Sequence, residues 1–276
     1  MWTVDSRGAA IPALGFGTFK LAPADARRMV EHVLGVGYRH IDTAQGYHNE
    51  AEVGAAIRAS NVPRDEIFVT TKVWPDNMQP GKLERSVEES VERMQLDRVD
   101  LVLLHWPNPN VDFNAMFAAL DTARADGLTR HIGVSNYPSA LLERAIEASE
   151  AALVTNQVEY HPFLTQRTLL AALRRAGMSL TAYCPLAQGK VFSDATLARI
   201  GERHGKNPGQ VALRWLIQQE GVIAIPRTKT EAHAESNFDI FDFELGGEEM
   251  NEIAALGSPE GRLVNPEGLA PEWDRE

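Results

Sequence analysis

The chain has 276 residues, 44% of them hydrophobic, with 27 Lys and Arg against 38 Asp and Glu for a formal net charge of −11 at pH 7. That acidic surplus disfavours a nucleic-acid partner, although an anionic ligand needs only a local basic pocket. The single cysteine, Cys184, excludes an internal disulfide and suits a reducing cytoplasm. With no apolar leader core at the amino terminus and no run of about 18 apolar residues, neither a signal peptide nor a membrane span is expected.

Residues 2–12 read as a short hairpin that turns through Asp5-Ser6-Arg7-Gly8. An alternation of strand and helix then begins. Strand 14–17 precedes helix 24–34, whose apolar spacing (Ala26, Met29, Val30, Val33, Leu34) is helical and whose Pro23 suits a first turn. Strand 40–42 precedes helix 49–59, strand 67–72 helix 82–94, and strand 99–105 helix 114–125. Strand 131–135 precedes helix 139–149, and strand 154–158 helix 165–175. Strand 179–183 precedes helices near 195–204 and 208–219, and strand 222–226 precedes helix 231–237. A last helix, 248–256, leads into an irregular tail over 257–276.

These strands are short and apolar on both sides, as strands buried on both faces are. Eight such units fit one α/β domain over 1–276, a closed (β/α)8 TIM barrel with an N-terminal β-hairpin and a C-terminal helix plus tail, better than an open doubly wound sheet. No Gly-x-Gly-x-x-Gly follows a strand, so a Rossmann fingerprint is absent.

In such a barrel chemistry sits at the carboxyl ends of the strands. Those ends are polar: Gly17-Thr18, Asp42, Lys72, His105, Ser135-Asn136, Gln157, Tyr183 and Pro226-Arg227. Tyr47 follows Asp42 on the next loop. Hydride addition to a carbonyl leaves an alkoxide that needs a proton. A phenol of pKa about 10 is a weak donor at neutral pH unless a cation stabilises the phenolate. Lys72 is the expected cation, lowering the Tyr47 pKa, with Asp42 as its counter-charge. His105 is expected to orient the carbonyl oxygen and relay a hydrogen bond. The eight histidines form no His-Glu-x-x-His or Cys/His set, so no metal site is expected.

Six stretches in order resemble the aldo-keto reductase superfamily. They are Arg39-His40-Ile41-Asp42-Thr43-Ala44 with Tyr47-x-Asn49-Glu50, Thr71-Lys72-Val73-Trp74, Leu104-His105-Trp106-Pro107, Gly133-Val134-Ser135-Asn136, Ala182-Tyr183-Cys184-Pro185-Leu186 and Ile225-Pro226-Arg227-Thr228. The likeness is to small bacterial members of the diketogluconate-reductase type. It implies Asp42, Tyr47, Lys72 and His105 as a catalytic tetrad and an extended NADPH bound without a Rossmann fold. Ser135, Asn136 and Gln157 would hold the nicotinamide carboxamide, and Tyr183 would stack on the ring. Gly17, Thr18, Cys184, Pro185, Leu186, Gln188 and Gly189 would line the channel, and Pro226, Arg227, Thr228, Thr230, His233, Ser236 and Asn237 the adenosine end. His233 stands where arginine is common in NADPH-using relatives and supplies a hydrogen bond or stack in place of a permanent charge, so NADH use is also possible.

Phe19, Tyr47, Trp74, His105, Trp106 and Trp273 would wall the substrate pocket, joined by Phe113. The expected activity is NAD(P)H-dependent reduction of aldehydes or ketones to alcohols by a monomer that binds a small carbonyl compound and no membrane. The alternatives are an NAD-dependent alcohol or polyol dehydrogenase working in the oxidative direction, and a low-turnover cofactor-binding regulatory protein.

Overall fold

The structure, a computed structural model, describes residues 2–275. Strands β1 (Thr3–Ser6) and β2 (Ala9–Pro12) form the antiparallel hairpin. Eight further strands follow: β3 (Phe16–Gly17), β4 (His40–Asp42), β5 (Phe68–Val73), β6 (Val99–Leu104), β7 (Thr129–Ser135), β8 (Leu153–Glu159), β9 (Ser179–Tyr183) and β10 (Val222–Ala224). They make one parallel sheet in sequential order from β3 to β10. The sheet curls until its edges meet. Gly15 N donates to Ala224 O at 2.8 Å, Ala224 N to Ala13 O at 2.9 Å and Gly17 N to Pro226 O at 3.0 Å.

Helices alternate with the strands: α1 (Pro23–Val36), α2 (Glu50–Ala59), α3 (Lys82–Met94), α4 (Phe113–Ala125), α5 (Ser139–Ala148), α6 (Arg167–Ala176), α7 (Ala195–His204), α8 (Pro208–Ile217), α9 (Glu231–Phe238) and α10 (Gly247–Ala254). Local chemistry sets their ends. Asp112 and Asp194 cap α4 and α7 by accepting from Ala115 N and Leu197 N. Asn207 and Gln210 cap α8 reciprocally, with Pro208 in its first turn. Gly177 and Gly205 close α6 and α7 in the left-handed region, where a missing Cβ removes the steric penalty.

The core is divided by the sheet. Between sheet and helices runs a continuous apolar layer containing Met29, Val33, Leu104, Phe117, Leu142 and Trp215. Inside the curl, at the amino ends of the strands, Ala9 and Ile11 of the hairpin pack with Phe68, Leu101, Leu103, Val154 and Ile223. The Ser6 hydroxyl donates to Val154 O and accepts from Ser179 N, which fastens the hairpin there. With that end plugged, the polar strand ends gather at the opposite rim.

One expected boundary shifts for a reason visible in the chain. The last strand stops at Ala224. Pro226 has no N–H to continue the ladder, although its carbonyl still accepts from Gly17. A short 3₁₀ turn, Gln45–Tyr47, lies between β4 and α2 and another stretch, Ala187–Ser193, follows β9. Neither carries enough periodicity to be legible in sequence.

Candidate active site

The ends of β4, β5 and β6 bring Asp42, Lys72 and His105 together, and the Gln45–Tyr47 turn adds Tyr47. The Lys72 ammonium is fully buried and has three acceptors: Asp42 Oδ1 at 2.6 Å, Thr43 O at 2.9 Å and the Tyr47 hydroxyl at 3.3 Å. The second Asp42 oxygen accepts from Gln157 Nε2 at 2.7 Å. A buried charge pair persists when its remaining hydrogen-bonding capacity is met, which these contacts achieve. His105 stands with its ring centroid 5.6 Å from that of Tyr47 and 5.3 Å from that of Trp74, edge-on to both. Its Nδ1 is buried without a partner.

Burial governs the protonation states. It pushes the Tyr47 phenol well above its ordinary value, and the Asp42 charge adds to the shift. Burial, then the Lys72 charge, holds His105 well below the usual histidine range. Burial also lowers Lys72, against Asp42. The sequence expectation that Lys72 lowers the tyrosine therefore does not describe this state. Lys72 is matched by Asp42 at 2.6 Å, and burial with the Asp42 charge sets the direction of the phenol's shift. The site at rest holds a neutral phenol beside a neutral imidazole, with a cation 3.3 Å from the oxygen that would become a phenolate.

Residues outside the tetrad hold this arrangement. Gln45 Oε1 accepts from Trp74 N and Asn77 Nδ2, while its Nε2 donates to Ser86 and Ser90. Asn49 Nδ2 donates to Thr18 O and Leu21 O, and its Oδ1 accepts from the Thr43 hydroxyl. The Glu50 carboxylate accepts from Thr71 and Arg93. Gly46 has no side chain because Trp74 lies over it: a Cβ would sit 2.9 Å from the indole. Of these, only Asn49 and Glu50 fall within a motif quoted above; the others bond across the fold.

Next to the tetrad, β7 and β8 end in Ser135, Asn136 and Gln157. Asn136, in the left-handed region at φ 66°, donates to His105 O and Ser135 Oγ and accepts from the Tyr183 hydroxyl at 2.8 Å. A hydroxyl and two carboxamides converging beside a half-buried tyrosine ring match the donor and acceptor set of a nicotinamide carboxamide. The residues present fit that group. Gly17 lies against the Ile225 carbonyl, and the Thr18 hydroxyl is spent on Asp42 O and Asn49 Oδ1, so Thr18 braces the site from within. After Tyr183, Cys184, Ala187 and Gln188 adopt positive φ and Pro185 is buried, while Leu186 is half-buried and Gln188 and Gly189 are exposed. Burial raises the Cys184 thiol to about 11, so it stays protonated.

Further round the rim, Pro226 is buried and Arg227 exposed. The Thr228 hydroxyl accepts from Thr230 N. His233 is exposed on α9, Ser236 accepts from Asn207 Nδ2 and Asn237 is buried. Sequence reading missed Arg28 of α1, which donates to Glu231 at 2.7 Å and to Lys229 O at 2.9 Å. No local signal ties Arg28 to a segment some 200 residues away.

Of the pocket aromatics, Phe19 is 51% exposed with its ring 5.1 Å from Tyr47, and Trp74 flanks His105. Trp106 is buried against Trp273 of the tail, ring centroids 6.4 Å apart. Phe113 instead packs on Phe117 and under Arg144.

Residues 13–258 match the model of the Aldo/keto reductase family. The chain is 45% identical to methylglyoxal reductase DkgB of Escherichia coli O157:H7 over 268 residues, covering 96% of this chain and 100% of that protein. It is 40% identical to glyoxal reductase of Bacillus subtilis (strain 168), covering 95% of each. A crystal structure provisionally assigned as 2,5-diketo-D-gluconic acid reductase B superposes with a TM-score of 0.98 at 52% identity, over 100% of this chain and 98% of that one.

Proposed function

The chain belongs to the aldo/keto reductase family, and from that membership we propose that it reduces small reactive aldehydes and ketones, α-dicarbonyls such as methylglyoxal foremost, with NADPH. The observation that carries this reading is the unbroken line from Asp42 through Lys72 to the Tyr47 hydroxyl, 2.6 Å and 3.3 Å long, beside a neutral His105.

When bound, a reduced nicotinamide supplies the hydride. The chain's own residues do the rest. The Tyr47 hydroxyl and His105 imidazole direct hydrogen bonds at the carbonyl oxygen and polarise it. As negative charge develops there, Tyr47 passes its proton to that oxygen. The phenolate left behind is stabilised by Lys72, whose charge Asp42 keeps in place. Phe19, Trp74, Trp106 and Trp273 restrict water around the reacting atoms.

Ser135, Asn136 and Gln157 are the residues that would hold the carboxamide, and Tyr183 the face of the ring. Arg227 and the start of α9 would take the adenosine end. A 2′-phosphate suits a guanidinium fork, hence NADPH, and His233 leaves NADH as a weaker partner. We read the curled sheet as the closed (β/α)8 barrel of the family, a single domain working as a cytoplasmic monomer. The test is direct: methylglyoxal should drive oxidation of NADPH by the purified protein, and more slowly of NADH. No oxidation of either cofactor with methylglyoxal, butanal or glyoxal would overturn the reading.

A further inference from the structure

The segment that leads into α9 is held from behind by one side chain of α1. Arg28 donates from Nη1 to Glu231 Oε1 at 2.7 Å and from Nη2 to the Lys229 carbonyl at 2.9 Å. The same Nη2 reaches Asp25 Oδ1 at 3.4 Å. Lys229 Nζ leans the same way, 3.7 Å from Asp25 Oδ2. His32, one turn further along α1, has Nδ1 3.8 Å from Glu231 Oε2 and Nε2 3.2 Å from Glu235 Oε1. Arg27 is spent within α1 on Glu31. Among the described residues, Arg28 is the only arginine or lysine within ion-pair distance of Glu231. The body of α9 is fastened separately: the buried Tyr38 hydroxyl donates to Ala234 O at 2.9 Å.

Both strong Arg28 contacts bear on the turn at 228–230. Lys229 C=O and Thr230 N–H belong to one planar trans peptide, so they point in opposite directions. With the carbonyl held toward α1, the Thr230 N–H is aimed across the turn, where it donates to Thr228 Oγ1 at 3.1 Å. The Thr230 side chain makes no cap bond to α9. Arg227, Thr228 and Thr230 belong to the segment that would take the adenosine end. Glu231 follows directly, in the first turn of α9. A carboxylate there suits the helix dipole but repels a second anion nearby. Arg28 therefore fixes the orientation of the turn and offsets the Glu231 charge at once. Both effects matter to a ribose that carries a 2′-phosphate, and neither matters much to one that ends in a free hydroxyl.

We propose that Arg28 is a positioning residue for the cofactor's 2′-phosphate: through Glu231 and the Lys229 carbonyl, without touching the cofactor, it sets the preference for NADPH over NADH. This inference rests on the reading of Arg227 and the start of α9 as the adenosine end.

Wild type, Arg28→Met and Arg28→Lys are titrated by calorimetry with NADPH, with NADH and with adenosine 2′,5′-bisphosphate, which carries the 2′-phosphate but no nicotinamide. In Arg28→Met, Kd for NADPH and for the bisphosphate should rise about three- to tenfold, the span of one net hydrogen bond, while Kd for NADH stays as in wild type. Arg28→Lys keeps the charge without the fork and should recover part of the loss. The Arg28 and Glu231 side chains are about half exposed, so Tm should hardly move. Turnover of butanal at saturating NADPH should also be unchanged, because no reacting group is disturbed. A merely structural arginine would lower Tm and weaken both cofactors together. Arg28→Met combined with Glu231→Gln separates the two contacts: recovery of NADPH affinity traces the effect to the Glu231 charge, no recovery traces it to the Lys229 carbonyl, and either supports the assignment. Equal weakening of NADPH and NADH in Arg28→Met, or no change in either, overturns the proposal and leaves the reductase reading standing. A wild type that binds neither cofactor overturns that reading, and the role of Arg28 with it.

Discussion

Tyr47 and His105 are shifted in opposite directions by one cause, enclosure by protein. The neutral form is favoured in both, so the phenol titrates well above 10 and the imidazole well below 6.5. The proton donor and the orienting hydrogen-bond donor of the proposed mechanism are thus both in the neutral form at neutral pH. It follows that kcat/KM for carbonyl reduction should be flat between about pH 6.5 and pH 9, since neither group changes charge in that window. The pH profile with an uncharged substrate checks it. A fall in rate as pH rises through about 6.5 would mean that His105 works as an imidazolium. In the proposed mechanism Lys72, 3.3 Å from the Tyr47 oxygen, acts when the phenolate forms, so its influence belongs to the transition state more than to the resting pKa.

The tetrad depends on how tightly neighbouring units pack. Gly54 of α2 lies directly on the last turn of α3: a Cβ there would overlap the Met94 carbonyl. Alanine is ordinarily the better helix former by about 1 kcal/mol. Here the obstruction is backbone, which cannot move aside as a flexible side chain would. Gly54→Ala should therefore lower stability by about 1–3 kcal/mol, read as a lower Tm; an increase in Tm would show that the two helices have slack.

The same contrast explains what could be read in advance. Helix 82–94 and strand 179–183 were legible to the residue because Gly81 and the Met178 segment punctuate apolar periods that are purely local. Asp42, Lys72 and His105 were legible because polar residues ending apolar strands have no packing reason to be there. Gln45, Arg28 and Asp274 were not. Gln45 gains its role by bonding Trp74 and Ser86, Asp274 by bonding Ser139, and those pairings exist only once the rim is assembled. Thr18 was read as a channel residue, but it is completely buried and its hydroxyl points to the chain. A strand-end position announces the rim but not the side of it a hydroxyl faces.

Three depressed histidines give the folded chain a characteristic response to acid. Burial lowers His40 to about 4, and burial also lowers His105 and His131. Between those values and the ordinary 6.5, the unfolded chain binds more protons than the folded one. Stability should accordingly be full above about pH 6.5 and fall as pH drops toward 4, by an amount on the order of 3 kcal/mol from His40 alone. Urea denaturation at pH 7 and pH 5 measures it, and greater stability at pH 5 would contradict the burial of neutral imidazoles. His40 packs near the start of the chain, where a Cβ on Gly15 would meet its ring, so this loss would be felt where β3 and β10 join. The measurement that bears most directly on the proposed chemistry compares wild type with Tyr47→Phe in NADPH binding, by quenching of tryptophan fluorescence, and in reduction of methylglyoxal. Binding should be nearly equal, while turnover falls roughly a hundred- to ten-thousandfold. Near-native turnover by Tyr47→Phe would remove Tyr47 as the proton donor and, with it, the role given to Lys72 and Asp42.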